Sequence, residues 1–146
     1  MPPLGLVVSA ATGCAEIAGP AAVQAISSLA NELAECVTNV RLNARAVKAI
    51  SERVKEMADV ITAICENGAY TDQPAVLSAL NAFQRLVSEV LGAVRAQSQQ
   101  SFLSQLVHRE RNMQNLNSLA DQVKDSFGIL MINLRAETTA MATQLP

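Results

Sequence analysis

The sequence holds a single histidine, His108, set within the charged run His108-Arg109-Glu110-Arg111. An imidazole that titrates near neutrality can serve as an acid, a base or a metal ligand. Each role needs convergent partners, yet no Glu-x-x-His or Cys-x-x-Cys spacing accompanies it. The three cysteines, Cys14, Cys36 and Cys65, are odd in number, widely spaced, and in or beside apolar stripes. That usage predicts buried free thiols in a reducing compartment rather than a disulfide framework or a zinc site. Glu32 and Glu35, like Glu52 and Glu56, have basic neighbours and read as solvated helix charges. Neither a glycine-rich phosphate loop nor a Gly-x-Ser-x-Gly elbow is present. The expectation is a protein that is not an enzyme and takes no metal or cofactor.

A row of cations offers different chemistry. Arg41, Arg45, Lys48 and Lys55 recur at helical spacing, interrupted by Glu52, and Arg109 and Arg111 form a second group. Such a row can grip anionic lipid headgroups, each cation contributing roughly 1 kcal/mol near a charged surface. The alternative is an ordinary wet face, partly neutralised by Glu52, Glu56 and Asp59. Nucleic acid is not expected as a partner. The net charge is −2, and the four aromatic residues, Tyr70, Phe83, Phe102 and Phe127, do not interleave with the cations.

The elements that position these residues follow from apolar spacing. Residues alternately three and four apart share one helical face, so a sustained 3-4 pattern marks a seam that must be buried. The first such run is Val23, Ile26, Ala30, Leu33, Val37 and Val40, and the second Val47, Ile50, Val54, Met57, Ile61 and Ile64. A third comprises Val76, Leu80, Phe83, Val87, Val90 and Val94. The fourth is Leu116, Leu119, Val123, Phe127, Leu130 and Leu134, led in by Phe102, Leu103, Leu106 and Met113. Gly19-Pro20 starts the first run, because proline is tolerated in a first turn. Gly68 ends the second, and Asp72 is placed to cap the third ahead of Pro74. No Gly or Pro lies between Val40 and Val47, so one long helix through both runs is the alternative; the seam nevertheless slips by one position there, and Asn39 and Asn43 flank the slip, which predicts a tight turn.

The fold class predicted is all-α, an up-down-up-down four-helix bundle with an additional short N-terminal apolar helix. The chain divides into residues 1–19, the apolar helix, and residues 20–146, the bundle, with helices at about 20–40, 44–67, 73–97 and 101–141. At 146 residues no second domain is needed.

From Leu4 to Ala30 the sequence carries one charge, Glu16. The length would cross a bilayer, but Gly5, Gly13, Gly19 and Pro20 dilute the segment, and no Lys or Arg precedes it as a signal peptide requires. Ala11-Thr12-Gly13-Cys14 echoes a lipoprotein cleavage site but lacks the same basic region.

Three segments in order carry a family resemblance. Leu29, Leu33, Val37, Val40 and Asn43, continuing through Arg45, Val47, Lys48, Ile50 and Arg53 to Val54, resemble the first helical hairpin of the mixed lineage kinase domain-like N-terminal four-helix bundle, especially its fungal forms. Leu77 to Val94 fits the third helix. Ser101 to Asn112, followed by Leu116, Leu119 and Asp125-Ser126-Phe127, is similar to that family's short apolar helix, basic turn and long last helix. The resemblance covers Ala21 to Leu134 and rests on degenerate helical patterns.

Such bundles, with the broader HeLo-like class, imply a membrane-targeting or death-inducing module, released on signalling from a longer protein. The resemblance places lipid contacts on Arg41, Arg45, Lys48 and Lys55, and on Arg109 and Arg111. It also allows insertion of the apolar N-terminal segment, with Leu4, Leu6, Val7, Val8 and Ile17 as insertion candidates. At rest, Leu4, Val7, Val8, Ala11 and Ala15 would instead form a stripe capping the bundle. The family's better-known members are basic on the lipid-facing side, whereas this chain is slightly acidic, which argues against direct phosphoinositide binding.

The function expected is a regulatory or effector bundle of the cell-death or immune-signalling type. It is cytoplasmic, self-associating, and recruited to the plasma membrane on activation, where it targets or permeabilises an anionic bilayer. The rival is an adaptor that binds other helical protein domains and has no membrane activity.

Overall fold

The computed structural model describes the backbone of residues 18–66 and 69–144, and the side chains of residues 18–66 and 71–137. These residues form α1 (Gly19–Val37), α2 (Ala44–Cys65), a 3-10 turn (Ala69–Asp72), α3 (Pro74–Gln99), α4 (Phe102–Val107) and α5 (Arg109–Gln144), with no strand among them. Helix α3 packs along both α1 and α5, and α1 also packs along α2. Contact between α2 and α5 is sparse, so the two outer helices flank an open side.

Local chemistry sets the ends. Pro20 lies in the first turn of α1, where its missing amide hydrogen costs nothing. The Gly19 amide donates to Asp72 Oδ1 at 2.9 Å, across 53 residues of sequence. Asp72, expected to cap α3, therefore closes α1 instead; Gln73 holds the N-cap position of α3 without a side-chain bond. The carboxylate is drawn to the electropositive start of α1, and the approach is open because residue 19 has no side chain. A Cβ there would lie 2.5 Å from the Thr71 carbonyl oxygen.

Between α1 and α2 the backbone turns over residues 38–43, with the Val40 amide bonded to the Val37 carbonyl at 3.1 Å. Asn43 adopts φ 60°, ψ 21°, the left-handed conformation that asparagine tolerates better than most residues. The last helix, expected as one span over 101–141, is two. His108 leaves helical geometry at φ −99°, ψ 11°, ending α4, and its carbonyl accepts from the Asn112 amide at 2.8 Å as α5 begins. The third helix runs on to Gln99, two residues past its expected end, and Gln97 is buried.

The core is aliphatic. Ile26 and Leu33 of α1, Val47, Ile50, Val54 and Ile61 of α2, Leu80, Phe83, Val87 and Val90 of α3, and Leu116, Val123 and Leu130 of α5 are buried, as is Val37 at the end of α1. Each large side chain so enclosed contributes roughly 1.5–3 kcal/mol over its exposed state. Val23, Met57, Leu119 and Phe127 pack against this core half-buried. Phe127 reaches Phe83 with ring centroids 6.0 Å apart at 54°, a tilted pair worth about 0.5–1.5 kcal/mol beyond its area.

Ile64, read as part of the α2 seam, is instead exposed, and Cys65 and Ala58 are buried in that helix. A strict seven-residue pattern assumes about 3.5 residues per turn, whereas a straight helix has about 3.6. Five turns on from Val47 the inward position is therefore residue 65, and residue 64 has rotated roughly 100° away.

Candidate functional site

The turn at residues 38–43, α4 and the start of α5 meet at one end of the molecule, and a buried glutamine joins them. Gln105 is 3% exposed. Its Oε1 accepts from the amides of Arg41 and Leu42, each at 3.3 Å, while its Nε2 donates to the Gln100 carbonyl at 3.1 Å. A second link is reciprocal: Asn43 Nδ2 donates to the Arg109 carbonyl at 3.3 Å, and Arg109 Nε donates to Asn43 Oδ1 at 3.4 Å. Ser101 caps α4 by accepting from the Ser104 amide at 3.1 Å. These bonds satisfy turn amides that would otherwise be stranded, and they fix which side of α4 faces inward.

That inward side is the polar one. The apolar residues of α4 face away, with Phe102 49%, Leu103 68%, Leu106 48% and Val107 70% exposed. Of the predicted cations, Arg41 lies beside Phe102, while Arg45 and Lys48 lie on the first turns of α2 in a groove against α1. Arg41 and Phe102 line one cleft, and Arg45, Lys48 and Glu52 line a neighbouring one that shares Thr38 with it. Arg109 and Arg111 are exposed in the first turn of α5. Lys55 belongs elsewhere: it pairs with Asp59 at 3.1 Å, two turns farther along α2 than Lys48. The sequence pattern located these cations but gave no sign that α4 lies with its apolar face outward. The available signal was Gln105 between two apolar pairs, which identifies an amphipathic turn without saying which face the core takes.

A second surface lies on the open side. Ile50, Val54 and Met57 of α2 face Ala120 and Val123 of α5 across a cleft of about 250 Å³, with Arg53 and Lys124 also lining it. On the opposite side, Arg95 of α3 donates to Glu32 Oε2 of α1 at 2.8 Å. The Arg95 guanidinium is held above its ordinary pKa, first by hydrogen bonding to Cys36 and also by the Glu32 carboxylate. Burial pushes the Cys65 thiol up.

No group of three or more His, Cys, Asp or Glu residues is placed to hold a metal ion among the described residues. No helix among them is long and apolar enough to cross a membrane. Leu4, Leu6, Val7, Val8 and Ile17, the insertion candidates, lie outside the described residues. Comparison with protein-family models, curated proteins and solved structures finds no match.

Proposed function

We propose that the chain is a non-enzymatic, four-helix effector or regulatory module of the cell-death or immune-signalling type, which self-associates and acts on anionic membranes. The observation that supports this reading best is the pairing of uncovered apolar side chains on α4 with exposed arginines at one end of the molecule. Apolar residues left in water beside cations suit a surface that is itself greasy and negatively charged. The family resemblance of the sequence points the same way.

A second reading, an adaptor for helical partners, draws support from the apolar cleft between α2 and α5. A dye-release assay on the full chain separates the two. Vesicles containing phosphatidylserine should leak and pull the protein down, with oligomers detected by light scattering. Deletion of residues 1–17, or the reversals Arg45→Glu and Lys48→Glu, should reduce leakage. If the wild-type chain neither leaks nor sediments with vesicles at any concentration, the membrane reading is lost and the adaptor remains.

A further inference from the structure

We infer that α4 is a shallow membrane-docking prong: Phe102, Leu103, Leu106 and Val107 enter the interfacial layer of an anionic bilayer while Arg41, Arg45, Lys48, Arg109 and Arg111 hold its phosphates. The inference rests on the membrane reading above and names the surface through which contact is made.

The exposure is built in rather than incidental. Six residues of helix carry four large apolar side chains outward and one amide inward. The amide, Gln105, makes three hydrogen bonds that no apolar side chain could replace. Turning α4 over to bury its apolar face would strand the amides of Arg41 and Leu42 and place Gln105 in water. The structure therefore holds the apolar face outward at the expense of ordinary burial.

Shape and charge select the occupant. Helix-in-groove recognition reads anchors over two or more turns, and α4 is too short to supply them. A short protrusion at the end of a helical array suits a soft surface that closes around it, as interfacial helices do in the headgroup region. Arg41, Arg109 and Arg111 are exposed beside α4 and at the start of α5, and Arg45 and Lys48 on the first turns of α2, against Glu35, Glu52 and Glu110 as the exposed carboxylates of the same segments. Local charge is thus positive on a chain whose net charge is −2, so the attraction belongs to this end and not to the molecule at large. Interfacial phosphate and carboxylate groups above a hydrocarbon layer satisfy both halves of the surface at once.

The chain has no tryptophan, so Leu103→Trp installs a lone reporter on the prong, and Ile132→Trp, at an exposed position on α5, serves as the control. Full-length protein is mixed with vesicles of phosphatidylcholine, with or without phosphatidylserine. The expected result is a blue shift of Leu103→Trp, and its quenching by brominated acyl chains, only with phosphatidylserine and only at low salt, while Ile132→Trp is unmoved. Leu103→Gln combined with Val107→Gln should weaken vesicle binding by roughly tenfold or more, given the apolar area each contributes. The melting temperature should hold, because both side chains are already in water. Arg41→Gln with Arg111→Gln should weaken binding and flatten its salt dependence.

Wild-type binding that the glutamine pair leaves unchanged would overturn the prong while sparing the membrane reading. A wild-type chain that ignores both vesicle types would remove both. Loss of self-association, rather than vesicle binding, in the glutamine pair would make α4 a contact between copies and overturn the inference. An equal blue shift at position 132 would do the same, by showing that contact is not confined to this end.

Discussion

Replacing Gly19 with alanine tests the way α1 begins. In a helix, glycine to alanine ordinarily stabilises, by roughly 0.4–1 kcal/mol, because the unfolded chain loses freedom. At Gly19 the new Cβ would sit 2.5 Å from the Thr71 carbonyl oxygen, 2.6 Å from Thr71 Oγ1 and 2.7 Å from the Thr71 carbonyl carbon. Two of those atoms are backbone, so no rotamer change relieves the clash. Forcing the segments apart costs about 1–3 kcal/mol as overpacking does, and it lengthens the bond from the Gly19 amide to Asp72, a cap worth about 1 kcal/mol. Net of the entropic gain, Gly19→Ala should destabilise by about 2 kcal/mol, lowering the melting temperature by roughly 6 °C for a chain of this size. Gly92→Ala and Gly128→Ala, where the added Cβ meets nothing within 4 Å, should instead stabilise by roughly 0.5–1 kcal/mol. Urea unfolding followed by circular dichroism measures all three. A double-mutant cycle sharpens the result: Asp72→Ala should cost about 1 kcal/mol in the wild type and almost nothing in the Gly19→Ala background. A Gly19→Ala protein as stable as the wild type, or a full Asp72 effect in both backgrounds, would refute the clasp between α1 and the 3-10 turn.

Neighbouring residues on α1 should differ sharply: Leu33→Ala, at a site with 0% exposure, should cost about 2–5 kcal/mol. Glu32→Gln, which breaks a half-exposed pair with Arg95, should cost under about 1 kcal/mol; both are read from denaturant midpoints. For Cys65, whose pKa burial raises, the unfolded thiol ionises first as pH climbs. Its stabilising contribution is therefore complete below the ordinary thiol pKa and is lost as pH rises toward the folded value. Between about pH 8 and 10 the wild-type urea midpoint should fall more than that of Cys65→Ser, and peptide mapping should find Cys65 alkylated more slowly than the half-buried Cys36.

The helices were legible because their apolar residues repeat, and repetition survives without knowledge of neighbours. Ile64 marks the limit of that method: one residue in error per five turns is too small to notice in Val47 or Val54, yet large enough to turn the last position outward. Asp72 marks another limit. Its spacing suited a local cap on α3, and no pattern along the chain measures a competing amide 53 residues away. For the candidate site, the positions of Arg41, Arg45, Lys48, Arg109 and Arg111 were readable, since charge clusters along the chain. The outward face of α4 was not, because it depends on which amides of the 38–43 turn need an acceptor, and that is settled only when the turn is folded beside Gln105.

Helix α2 is attached along one edge, to α1, and scarcely touches α5. Such an arrangement works like a leaf on a spine. Swinging the leaf outward sacrifices a single helix-to-helix seam, while α1, α3 and α5 keep theirs. Amide hydrogens in α2 should accordingly exchange with solvent sooner than those of α3, which is gripped from both sides. That movement would uncover Val47, Val54 and Ile61, the buried face of the leaf itself.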